Sequence, residues 1–98
     1  MPDYRDVDPR DLRVPPSRRQ GADPTKLARQ IALFGRSAHG MPPPWVYEAA
    51  DGVLVLYNGV TRATRIAKLV PGTLIRVEVV GKLPKACGSE PTIGDLLP

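Results

Sequence analysis

The sequence predicts an α+β domain, a small mixed sheet carrying two main helices. Three observations point there. Apolar residues recur at helical spacing in two segments: Leu27, Ile31 and Phe34 in the first, Ala63, Ile66, Ala67 and Val70 in the second. Residues 45–49, 53–57 and 74–80 are β-branched or aromatic runs bounded by turn residues. The resulting order of strand, helix, hairpin, helix and strand mixes both element types in a chain of 98 residues, which is one core's worth of protein.

Residues 1–22 read as an N-terminal arm. Pro2, Pro9, Pro15 and Pro16 punctuate it, and aspartates alternate with arginines. Leu12 and Val14 predict one short edge strand at residues 11–14, ended by Pro15-Pro16, which cannot donate ladder hydrogen bonds. Residues 23–80 form the predicted core. Asp23 is an N-cap, Pro24 suits the first helical position and Gly35 the left-handed position past the end, so the first helix spans Pro24–Phe34. Pro42, Pro43 and Pro44 favour an extended approach to the next strand. Asp51-Gly52 joins residues 45–49 and 53–57 in a hairpin. Residues 53–57 are apolar without alternation, which predicts a central strand buried on both faces. Asn58-Gly59 breaks that strand, and the second helix runs over Val60–Leu69 to a stop at Pro71-Gly72. Residues 74–80 alternate Ile75, Val77 and Val79 against Arg76, Glu78 and Val80. Residues 81–98 read as a meandering tail with a short helical turn at 92–97.

Composition excludes several classes. At 42% hydrophobic the chain is too apolar for a disordered segment. No apolar run approaches 18 residues and no leader-like apolar stretch follows Met1, so the expectation is a cytoplasmic protein without a membrane partner. One cysteine allows no internal disulfide. The net charge of +4 is modest and interleaved with aspartates, so strong nucleic-acid binding does not follow from charge.

The segment from Leu56 to Ala67 is the one that carries chemistry. A strand, a glycine turn and a helix in succession leave unpaired amides at the helix start, with the positive end of the dipole behind them. Such a start binds anions. Asn58 and Gly59 make the turn, and Gly59 lets a phosphate approach the backbone. Thr61 offers a hydroxyl, Arg62 a guanidinium fork, and Arg65 lies one turn on, so that Thr61, Arg65 and Lys68 fall along one face. The plainer alternative is a strand-ending turn followed by a solvated helix face.

In order and spacing, these stretches resemble the ParB/sulfiredoxin-like domain. The matching pieces are residues 27–35, Pro43-Pro44-Trp45-Val46, Asp51-Gly52 and Asn58-Gly59-Val60-Thr61-Arg62-Ala63, continued by Ile66-Ala67-Lys68-Leu69 and residues 74–80. The resemblance covers residues 7–80. It implies a phosphate-bearing ligand, above all a nucleoside triphosphate with Mg²⁺, at Asn58, Gly59, Thr61, Arg62 and Arg65. Nucleic acid and a partner protein are the other implied partners. Sulfiredoxins carry a reactive Cys directly after the glycine. Here Val60 stands there, which argues against thiol repair. Partition proteins carry a charged pair where Val60 and Thr61 stand, and a separate DNA-reading domain that this chain is not expected to contain.

Other residues carry less. His39 is the single histidine and lies in a loop. Asp3, Asp6, Asp8 and Asp11 resemble a metal cluster, but their alternation with arginines favours internal charge pairing. Trp45 and Tyr47 share one strand face and suit hairpin packing better than base stacking. Tyr57 closes its strand at the rim of the proposed anion site, and Arg18-Arg19 could contribute a basic rim. Whether the domain catalyses a reaction is left open, since no general base or metal ligand stands out. The rival reading is a non-catalytic DNA-associated or partner-binding module, and a metal-dependent nuclease ranks last.

Overall fold

The computed structural model describes residues 1–97. Four strands, β1 (Asp3–Val7), β2 (Trp45–Glu48), β3 (Leu54–Asn58) and β4 (Ile75–Lys82), form one mixed sheet in the order β1-β4-β2-β3. The pairs β1/β4 and β2/β3 are antiparallel, whereas β2/β4 is parallel. Two helices, α1 (Pro24–Phe34) and α2 (Val60–Leu69), complete the α+β fold. Among the described residues no helix is long and apolar enough to cross a membrane.

Helix α1 begins and ends at its capping residues. The Asp23 carboxylate accepts the amides of Thr25 at 2.8 Å and Lys26 at 3.3 Å. Gly35, at φ +57°, closes α1 by donating its amide to the Ile31 carbonyl. The two helices differ in packing. Leu27 is the one residue of α1 that is fully buried, while α2 buries Val60, Ala63, Thr64, Arg65, Ile66 and Ala67. Helix α2 is therefore the core helix, and α1 lies against it as a lightly packed brace.

The sheet turns Val46, Leu56, Ile75 and Val77 toward the core with the α2 stripe. The hairpin forms as Asp51-Gly52 predicts, with the Ala49 amide donating to the Val53 carbonyl and Gly52 at φ +83°.

Three expectations need correction. The regular edge strand is Asp3–Val7, and residues 11–14 contribute only isolated bridges at Arg13, to Val55 and to Thr92, after a 3-10 turn at Pro9–Asp11. Strand β3 is terminal in the sheet rather than central. Val55 and Leu56 are nevertheless both buried, and the outer edge is paired rather than open: the Arg13 amide donates to the Leu54 carbonyl and its carbonyl accepts the Leu56 amide, both at 2.9 Å. The tail is irregular beyond β4, as expected, but it is anchored rather than loose. Ile93 is buried in the core, its amide donates to the Leu12 carbonyl, and the Pro91 carbonyl accepts the Val14 amide. Residues on both sides of the predicted 23–80 core thus belong to the same hydrophobic cluster. The helical turn expected at 92–97 is a 3-10 turn at Gly94–Leu96; Pro98 lies outside the described residues.

Candidate anion site at the start of α2

Strand β3 delivers the chain to Asn58, Gly59 turns it, and α2 begins at Val60. The first bond of the helix runs from the Ala63 amide to the Gly59 carbonyl at 2.9 Å. The amides of Val60, Thr61 and Arg62 precede it and have no intrahelical acceptor, and no side chain caps them. Gly59 is required twice. Its φ of +103° is a left-handed conformation that residues with a Cβ rarely adopt. A Cβ there would also stand 2.8 Å from the Pro44 side chain and 2.9 Å from Arg62 Nη2. The guanidinium of Arg62 thus lies against the bare face of the glycine.

Arg62 is a half-buried cation, and no carboxylate among the described residues pairs with it. Its Nε is buried without a hydrogen-bond partner. Burial alone pushes the group below the ordinary arginine pKa. Arg18, Lys26 and Gln30 converge on the same spot and, with residues 57–62, line a cleft of about 210 Å³ that contains no acidic side chain. The amide oxygen of Gln30 is likewise buried without a partner. Three cations and a helix start therefore face a cleft without an acidic side chain; Asp23, just outside it, partly offsets Arg18 and Lys26 but not Arg62.

The structure brings Asn58, Gly59, Thr61 and Arg62 together at this cleft and leaves Arg65 out of it. Arg65 is only 1% exposed. Its Nη1 donates to the carbonyls of Gly35 at 2.7 Å and Ser37 at 2.8 Å, and its guanidinium lies 5.4 Å from the Phe34 ring centre. The side chain staples the loop after α1 onto α2. The expected face of Thr61, Arg65 and Lys68 therefore does not exist as a binding surface, because a loop distant in sequence covers its middle member. Lys26 and Gln30 were missed, although their four-residue spacing places them on one face of α1. Only the α1–α2 packing aims that face at Gly59.

The remaining candidates resolve locally. His39 is exposed beside a smaller pocket shared with Arg62 and Arg65. Asp3 pairs with Arg5 at 3.1 Å and Asp6 with Arg76 at 3.6 Å, while Asp8 caps the Arg10 amide. Among the described residues no three His, Cys, Asp or Glu side chains gather to hold a metal.

The cleft suits phosphate oxygens. It offers no carboxylate to a phosphate-bound Mg²⁺, which proteins ordinarily hold through one or two carboxylates together with the phosphates. The fit is to the anion and does not extend to a protein-held metal. Its volume also falls below the roughly 300–1,000 Å³ of pockets that enclose a whole small molecule. Compared with known proteins, the chain matches no family model, no curated protein and no solved structure.

Proposed function

We propose that this domain binds a phosphate-bearing ligand, a nucleotide, with its phosphates at the start of α2. The observation that carries the reading is Arg62: a half-buried guanidinium with no carboxylate partner, seated against the bare face of Gly59 beside the helix start. A cation withdrawn from water without a counter-charge is unfavourable in the free protein. A phosphate in the cleft offsets that cost, accepting bonds from the guanidinium and from the amides of Val60, Thr61 and Arg62. Arg18 and Lys26 add charge, and Asn58 and Thr61 add neutral polar contacts. The similarity of the Asn58–Arg62 turn to the ParB/sulfiredoxin-like motif supports the same choice of ligand. Lacking both an acidic and a histidine side chain, the lining favours binding over turnover.

The test is thermal denaturation with nucleoside triphosphates. A ligand at a hundred times its Kd contributes about 2.7 kcal/mol. For a domain of this size that raises the melting temperature by roughly 10–20 °C. Arg62→Ala should weaken binding on the order of 10- to 100-fold, the worth of a charge-assisted hydrogen bond, and so remove from about half to most of the rise. A full rise in the variant contradicts the reading.

A further inference from the structure

Tyr57 belongs to two surfaces at once. Its residue lines the cationic cleft, and its ring belongs to an aromatic cluster on β2 and β3. Trp45 and Tyr57 are near-parallel, with planes 10° apart and centres separated by 6.2 Å. They are 44% and 58% exposed. Tyr47 meets Tyr57 edge-on at 5.3 Å, and is itself held over Gly81 of β4, where a Cβ would stand 2.8 Å from its ring. Three of the chain's five aromatic rings therefore gather in one place, and two of them, Trp45 and the central Tyr57, face solvent. Packing accounts for Tyr47. It does not account for leaving the largest side chain of the protein and its neighbour in water.

We infer that this face stacks the bases of a single-stranded nucleic acid, whose backbone phosphate occupies the cleft at Gly59 and Arg62. The inference rests on the phosphate reading and narrows its ligand class. The cleft is too small for a whole nucleotide, so a phosphate held there leaves its sugar and base outside, at the rim that Tyr57 forms. Every base has a flat face suited to an aromatic ring, and a duplex hides that face. A chain of nucleotides fits better than a free one because the basic lining continues. Arg18 and Lys26 also line an adjoining open groove along residues 16–26. Asp23 lies in that groove, with its carboxylate engaged by the amides of Thr25 and Lys26.

Trp45 is the single tryptophan, so its fluorescence reads the proposed contact directly. The probes are oligo(dT) and oligo(U) of about 12 nucleotides, within the usual site sizes for such proteins, the matching duplex, and inorganic tripolyphosphate. One or both single strands should quench Trp45 saturably, and salt should weaken the binding. The arm that binds tighter identifies DNA or RNA as the source. Tyr57→Ala should lose on the order of 5- to 100-fold in affinity, while Tyr57→Phe keeps it. Circular dichroism spectra and melts of both variants verify folding; Tyr57→Ala, which loses two ring contacts, should melt somewhat lower while remaining folded at the binding temperature.

If tripolyphosphate binds in an Arg62-dependent way but the single strands neither bind more tightly nor respond to Tyr57→Ala, the inference falls and the phosphate reading stands. Single-strand binding that is indifferent to Arg62→Ala overturns both. Equal affinity for the duplex overturns the stacking geometry. So does a Trp45 signal that depends on protein concentration alone, which would identify a second copy of the chain as the occupant.

Discussion

Gly59→Ala is expected to lower the melting temperature by roughly 10–40 °C and to remove the response to phosphate ligands. Two independent penalties combine. A residue with a Cβ in the left-handed region costs roughly 1–2 kcal/mol. Forcing extra volume into a packed site costs roughly 1–3 kcal/mol more. The new methyl group would meet the Pro44 side chain at 2.8 Å, and Pro44, immediately before β2, is fully buried. It would also displace Arg62 Nη2, 2.9 Å away, from its place over the turn. For about 100 residues each kcal/mol moves the melting temperature by roughly 4–8 °C. Calorimetry with and without tripolyphosphate checks both effects together. A variant that melts within a few degrees of the parent and still responds to the anion would show that the close approach of Arg62 to Gly59 has no role.

Arg65→Ala should be comparably damaging for a different reason. The residue donates two short bonds to the carbonyls of Gly35 and Ser37 and packs beside Phe34. Hydrogen bonds from charged donors are worth roughly 1.5–3 kcal/mol each. Gly35 is half-buried and Ser37 exposed, so water can replace part of what is lost. The expected net cost is roughly 2–4 kcal/mol, a fall in melting temperature of about 10–25 °C. Arg65→Lys keeps the charge but cannot reproduce the fork, and should lie between the two. Arg65 stands outside the cleft, so Arg65→Lys should bind tripolyphosphate within about threefold of the parent while folded, well under the loss of one charged contact. An unchanged melting temperature with a large loss of affinity would return Arg65 to the ligand.

The contrast between Arg62 and Arg65 marks how far the sequence could be read. Local signals were sufficient for the helices: Asp23, Pro24 and Gly35 delimit α1, and Asn58-Gly59 with Pro71-Gly72 brackets α2, at the residues observed. They were sufficient too for the hairpin and for the position of Gly59. Strand β1 was illegible because its side chains are mainly charged, as suits an exposed edge, and only its pairing with β4 makes it a strand. The apolar run at 53–57 has the signature of a central strand because Val55 and Leu56 are both buried, yet β3 is terminal and its outer edge is closed by an isolated bridge to Arg13 rather than by a further strand. Likewise two arginines three residues apart on one helix looked equivalent. The loop at 35–37 converts one into an internal staple and leaves the other facing a cleft, and no helical periodicity encodes that. Arg18, Lys26 and Gln30 reach the site through tertiary packing, which is why the sequence named its floor and missed most of its wall.

The most direct measurement is the backbone amide spectrum of the isotopically labelled protein during titration with tripolyphosphate. The amides of residues 59–62 should show the largest, saturating shifts, with smaller ones at Arg18 and Lys26, and Arg62→Ala should flatten the titration. Shifts centred elsewhere, on the loop at Arg65 or the groove between the helices, or shifts that never saturate, would contradict an anion site at the start of α2.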